Sequence, residues 1–315
     1  MRFAPGVDAY FEILRKAAPP PLTSLTVEQA RAMYRFKSEK FGGARVDMAE
    51  TRDFSCPGPR GPIRLRLYRP TPAPAPQPAL VYLHGGGWTI GDLDSHDHVC
   101  RALAEAAAMP VVAVDYRLAP EHPFPAGLED AVAAFGWIAA HAASLGLDPA
   151  RLAVAGDSAG GNLAAVLCLA ARDSDGPMPR RQILIYPSTD AGAAAQDFAS
   201  RVANAGVPPL TQDALDFFDG KYLRDSALAR DWRASPLRAA SHAGLPPALV
   251  VTAEYDVLRD EGLAYARKLE AAGVPVETRD YAGQIHGFLE LGGLIPGAAR
   301  AVADIAAFLR VRLAA

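Results

Sequence analysis

Residues Leu152–Ala171 read LAVAGDSAGGNLAAVLCLAA. The first five residues are small or apolar, a short run of the kind buried on both faces of a sheet. The Ala/Leu-rich stretch from Ala159 to Arg172 follows as a helix. Between them lies Gly156-Asp157-Ser158-Ala159-Gly160, a G-x-S-x-G. A turn this tight from strand to helix leaves no room for a β-carbon two positions before or after the serine, and both positions are glycine. Ser158 then stands at the start of a helix, where free amides and the dipole favour developing negative charge. Taken alone, the motif is equally a serine N-cap in a plain strand–helix turn. The strand before it and the helix after it suit a nucleophile elbow.

Outward from this point the same alternation recurs. The apolar runs ALVYL, VVAVD, ILIY and ALVVTA are separated by helical stretches at Asp94 to Ala108, Ala126 to Ser144 and Arg259 to Ala272. Short apolar strands alternating with helices predict an α/β protein with a parallel sheet covered on both faces. A strand VPVETRDY and a helix near Ala298 to Val311 close the chain. Upstream, PIRLRLYRP alternates Ile63, Leu65 and Leu67 with arginines, a half-buried strand. TPAPAPQP is too poor in donors to join a sheet.

Two regions break this rhythm. VDAYFEILRKA sets Tyr10, Ile13 and Leu14 on one helical face. TVEQARAMYRFKSEKF starts at Thr26 as N-cap and repeats Val27, Ala30 and Tyr34. The second region, between ILIYPSTD and ALVVTA, is a long stretch with no strand candidate, and an insertion of that length between strands suits a lid or binding element. Within it TQDALDFFDGKYL spaces Leu215, Phe218 and Tyr222 for one face. The expected division is a helical cap from residues 1–45 and 189–225 on a catalytic domain from residues 46–188 and 226–315.

With 315 residues, half of them hydrophobic, the chain has ample core. The formal net charge of -3 argues against a nucleic-acid or anionic-membrane partner. Three scattered cysteines, Cys56, Cys100 and Cys168, form no CxxC and read as reduced, mostly buried thiols. No stretch reads as a membrane span, and Asp8, Glu12 and Arg15 interrupt any apolar signal core at the N-terminus. A cytoplasmic location is the expectation.

A serine hydroxyl needs a base and a group that orients the base. Of seven histidines, His286 in YAGQIHGF follows the last strand candidate and is placed to reach the central strand's serine. His141 reads as a surface residue, His122 as part of a structural loop, and nothing marks His96 or His98 as a base. The sequence HDH at residues 96–98 reads as polarity at a helix start, and no metal site is expected. Asp256, just after ALVVTAEY, suits the orienting carboxylate. Glu254, Asp260 and Glu261 compete with it on charge alone. The order Ser158, Asp256, His286 is the α/β-hydrolase chain order.

VYLHGGGWTIGD, Val81–Asp92, completes the pattern. Attack on an acyl carbon puts negative charge on its oxygen, and backbone N–H groups can meet that charge only where β-carbons do not obstruct. Gly86, Gly87 and Ala159 are the expected donors. Gly85 serves the turn, Trp88 walls the pocket, and Asp157 joins Gly85 and Trp88 as an expected substrate-pocket residue.

HGGGW, DYRLAPEHPFPAGLEDA, GDSAGGNLAA, DVLRDEG and IHGF, in this order from about Arg64 to Leu291, resemble the hormone-sensitive-lipase-like carboxylesterases of the α/β-hydrolase superfamily. The resemblance implies an eight-stranded, mostly parallel sheet with a helical cap. It also implies hydrolysis of short- to medium-chain acyl esters without a cofactor, a triad on Ser158, Asp256 and His286, and an oxyanion hole on Gly86, Gly87 and Ala159. The expected partner is a small ester substrate, with pairing of two copies through an edge strand such as VPVETRDY as a further expectation. The rival readings are an amidase or peptidase of the same fold and a non-catalytic binding protein built on it.

Overall fold

The structure is a computed structural model, and it describes residues 1–174, 176–191 and 193–313. Eight strands form one sheet: β1 (Glu50–Gly58), β2 (Gly61–Arg69), β3 (Gln77–Leu83), β4 (Val111–Asp115), β5 (Leu147–Asp157), β6 (Gln182–Ile185), β7 (Ala248–Tyr255) and β8 (Val276–Ile285). Their order is β1-β2-β4-β3-β5-β6-β7-β8. β2 is antiparallel to both its neighbours, and every pair from β4 to β8 is parallel. β3 and β5 are therefore central neighbours, and the loops at their carboxyl ends face each other.

Strand periodicity sorts the core into two layers. Ala79, Val81 and Leu83 of β3 pack with Leu152 and Val154 of β5 on one face, while Leu80 and Tyr82 pack with Ala153 and Ala155 on the other. The first face is covered by α4 (Ala126–Ala140), α5 (Ala159–Asp173) and α8 (Arg259–Ala271). The second is covered by α3 (Asp97–Ala107) and α9 (Gly297–Leu313). Burial on both faces is why these strands read as continuous apolar runs.

The remaining helices are α1 (Val7–Ala17), α2 (Val27–Phe41), α6 (Ala199–Ala203) and α7 (Gln212–Tyr222). Thr26 does cap α2, in a capping box with Gln29. Leu215, Phe218 and Tyr222 of α7 are all buried. A third apolar cluster joins Ala30 of α2 to Leu210, Ala214, Leu215 and Phe218, and to Ile90 and Leu258 beside the sheet.

Three details differ from the sequence expectation. β1 carried no apolar run: within it only Cys56 is fully buried, so a mostly solvent-facing edge strand leaves little hydrophobic pattern. Gln77 and Pro78 of the proline-rich connector begin β3, where the Gln77 amide donates to the Gly146 carbonyl. The helix expected from Asp94 starts at Asp97, because the Asp92 carboxylate captures the amides of Asp94 and Ser95 in a turn. Cys56, Cys100 and Cys168 are buried and unbridged. Among the described residues, no helix is long and apolar enough to cross a membrane.

Candidate active site

β5 ends at Asp157 and α5 begins at Ala159, which leaves Ser158 alone at the corner with φ 55° and ψ -118°. Positive φ is strained for a residue with a side chain. The corner is held by the Ser158 amide, which donates to the Ile185 carbonyl at 2.8 Å, and by the Ser158 carbonyl, which accepts from Asn162 N at 3.0 Å. A β-carbon on Gly156 would lie 2.2 Å from the Gly160 carbonyl oxygen, and one on Gly160 would lie 1.9 Å from the Leu83 carbonyl oxygen. The two glycines let α5 press directly on the end of β3.

His286 follows β8 and Asp256 follows β7. The Ser158 hydroxyl lies 3.0 Å from His286 Nε2, and His286 Nδ1 lies 2.7 Å from Asp256 Oδ2. With Nδ1–H donating to the carboxylate, Nε2 is left to accept from the serine. The Leu258 amide donates to Asp256 Oδ1 at 2.9 Å and fixes the carboxylate's orientation.

Each competing acid is engaged elsewhere. Glu254 accepts the Gly283 amide, Asp260 the Ser200 amide, and Glu261 pairs with Arg201 at 2.6 Å, both side chains buried. The acid loop is also tied to α6 and the residue after it. Asn204 Nδ2 donates to the Asp256 carbonyl at 3.1 Å, and the Ser200 hydroxyl donates to the Val257 carbonyl at 2.9 Å.

The glycine loop leaves β3 with Gly86 at φ 113° and Gly87 at φ 56°, and the amides of Thr89 and Ile90 both close on the Gly86 carbonyl. A β-carbon on Gly86 would lie 2.2 Å from the Ile90 carbonyl oxygen. Among the described residues the amides of Gly86, Gly87 and Ala159 have no hydrogen-bond acceptor. They border a cavity of about 590 Å³ whose lining also includes Ser158, His286, Trp88, Phe218, Leu215, Tyr10 and Met33. Trp88 stacks on Tyr222 at 4.2 Å between ring centroids.

Gly85 and Asp157 lie behind the cavity and do not line it. Asp157 is fully buried and accepts from Tyr82 Oη at 2.7 Å and from the Gly85 amide at 3.0 Å, with His96 Nε2 at 3.3 Å. It joins the glycine loop to the elbow. Burial would raise its carboxyl, but His96, the Tyr82 hydrogen bond and the His84 charge together outweigh that and hold it at about 2. His96 is raised in turn: burial opposes its charge, and Asp157 more than restores it.

His84 is pushed down to about 4 by burial, stacked on Tyr116. His98, also pushed to about 4 by burial, lies against the Glu290 carbonyl. His141 ends α4 on the surface, and His122 lies in the loop before it. Sequence reasoning passed over Glu290, which accepts from Tyr34 Oη at 2.6 Å and pairs with Lys37 at 2.8 Å. Its signal was a lone charge inside the apolar run GFLELGG, four residues after His286.

A family model described as the alpha/beta hydrolase fold matches residues 80–290. The chain is 46% identical to the carboxylic ester hydrolase LipN of Mycobacterium tuberculosis, over 90% of this chain and 76% of that one. It is 38% identical to an ethyl acetate hydrolase of Pseudomonas putida, over 94% of each chain. Among solved structures, an ester hydrolase from the metagenome of Lake Arreo superposes with a TM-score of 0.95 at 41% identity, over 99% of this chain and all of that one. An esterase of the archaeon Pyrobaculum calidifontis superposes at 0.91 with 40% identity, over 100% of both chains. The chain thus belongs to the α/β-hydrolase fold family, in its hormone-sensitive-lipase-like branch of carboxylesterases.

Proposed function

We infer that this protein is a serine carboxylesterase acting on short- to medium-chain acyl esters. The observation that carries the reading is the Ser158 hydroxyl 3.0 Å from an imidazole that a buried carboxylate orients from behind. Ser158 attacks the acyl carbon as His286 Nε2 takes its proton. The amides of Gly86, Gly87 and Ala159 receive the oxyanion, each such donor lowering the barrier by about 3–4 kcal/mol. His286 returns the proton to the leaving alcohol. Water then attacks the acyl-enzyme with His286 again as base. Asp256 holds the imidazole tautomer and stabilises its cation.

The apolar cavity of about 590 Å³ supports an acyl or alcohol chain beyond acetate, and the similarity to an ethyl acetate hydrolase supports small esters. Residues 1–45 and 189–225 act as the cap; what supports this is the shared cluster of Ala30, Leu215 and Phe218 above the serine. Buried, unbridged cysteines support a reducing compartment such as the cytoplasm. β8 ends the sheet, and that edge is where a second copy would pair.

The test is labelling by an aryl organophosphate together with turnover of p-nitrophenyl esters from C2 to C16 and of a matched anilide. Stoichiometric labelling at Ser158 and hydrolysis that favours esters, fastest below about C8, are expected. Anilide turnover equal to ester turnover would instead make the protein an amidase. Absence of labelling would make it a binding protein.

A further inference from the structure

One stripe of α2 is polar and turned toward the loops of the site. Arg31, Tyr34, Arg35 and Ser38 follow the i, i+3, i+4, i+7 spacing of a single helical face, with Lys37 beside them. Arg31 donates to the Thr89 carbonyl at 2.9 Å and to the Ala119 carbonyl at 3.1 Å, and pairs with Glu121 at 2.7 Å. Arg35 pairs with Asp92, and the Ser38 hydroxyl donates to the Ser95 carbonyl. Tyr34 and Lys37 converge on one oxygen of Glu290. Along this stripe α2 holds both the glycine-loop connection and the turn that follows His286.

Glu290 lies in the short turn Phe288–Leu291, and its own amide closes on the Gly287 carbonyl at 3.1 Å. Fixing its carboxylate therefore fixes a turn that begins next to His286. That carboxylate is buried, and its oxygen, an Asp157 oxygen and a His96 ring nitrogen lie within 4.8 Å of one another. Two buried carboxylates this close need positive partners. His96 faces Asp157, and Lys37 faces Glu290. Burial and the Asp157 charge push the Glu290 carboxyl up, but Lys37, through its charge and hydrogen bond, and His96 together outweigh them and hold the group below its ordinary range. Burial depresses the Lys37 ammonium, and Glu290 more than restores it.

We propose that Lys37 and Tyr34 are positioning residues for ester hydrolysis: by holding Glu290 they fix the turn that presents His286 to Ser158. In that role α2 is a brace of the catalytic loops as well as a wall of the cavity. The two roles differ in what they act on. A wall touches only substrates long enough to reach it and is felt in KM. A brace is felt by every substrate, down to acetate, and in kcat, because a misplacement of about 1 Å can cost about 100-fold.

The inference rests on the serine-esterase reading, which wild-type turnover of p-nitrophenyl acetate tests by itself; the ratio of variant to wild type tests the brace. In Glu290→Gln and Lys37→Met, kcat for p-nitrophenyl acetate is expected to fall about ten- to a hundredfold, with KM within about twofold of wild type. Lys37→Arg should recover most of the loss. The double variant should be no worse than the worse single, since both act through one contact. Tyr34→Phe removes one hydrogen bond and should lower kcat by about threefold. Circular dichroism and thermal melting establish that each variant is folded, and Tyr34→Phe decides by the same criteria if the charge variants are not. Unchanged kcat for acetate in folded variants overturns the proposal, as does an effect confined to KM or to long acyl chains.

Discussion

The two sides of the cavity are made differently. On the sheet side, backbone lies against backbone: Gly156 against Gly160, Gly160 against Leu83, and Gly86 against Ile90, each at a separation where one added carbon collides. On the opposite side, side chains do the shaping. Phe218 and Leu215 of α7 and Met33 of α2 line the same cavity as the serine, and replacing one moves a wall without moving a main chain. The half proposed to perform the chemistry has almost no room for an added carbon, whereas the half proposed to select the substrate has a good deal.

The largest effect should come from the sheet side. Ser158→Ala is expected to lower kcat by about 10⁶-fold with the melting temperature preserved. Residual turnover near wild type would dissolve the distinction. Asp256→Asn should lower kcat about 10⁴-fold by favouring the wrong histidine tautomer, as steady-state kinetics on an aryl ester would register. In Gly160→Ala the new carbon meets the Leu83 carbonyl at 1.9 Å, and the displaced elbow should lower kcat at least about 100-fold. Across the cavity, Phe218→Ala should leave acetate turnover within about threefold yet change the preference between short and long acyl chains by about tenfold. If Phe218→Ala hurts acetate as much as Gly160→Ala does, the contrast between the two sides fails.

The smallest effect expected is on stability in weak acid, and it falls on the sheet side. His84 and His98 are held neutral with values pushed down to about 4, so between pH 6.5 and 4 the unfolded chain binds protons that the folded one does not. Stability should therefore rise with pH through this window and be lost as pH falls through it. A urea midpoint lower at pH 4.5 than at pH 7 is the expected observation, and His84→Gln should flatten the slope.

The same contrast explains what the sequence made legible. Glycines at 85–87, 156 and 160 mark close main-chain approach, which is a local demand and so shows in a local pattern. Asp256 and His286, which converge on Ser158, stand out in the sequence because each follows a strand run, where loops of a parallel sheet converge. Asp157 and His96 were read less well. Asp157 was placed at the substrate pocket, but its three hydrogen-bonding partners turn it into the core behind the elbow. The hold of Tyr34 and Lys37 on Glu290 spans more than 250 residues of chain, and no spacing rule joins them. β1 left no trace because an exposed edge needs no apolar pattern.

Asn204 and Arg201 have a consequence for anyone wishing to re-engineer this enzyme. They sit in the long insertion, yet one grips the main chain of Asp256 and the other neutralises Glu261 inside the core. Excising residues 189–225 to open the cleft would therefore not yield a pared-down hydrolase. It would release the loop bearing the acid and strand a buried carboxylate, so grafts from a relative should begin after Asn204 and leave that tether intact.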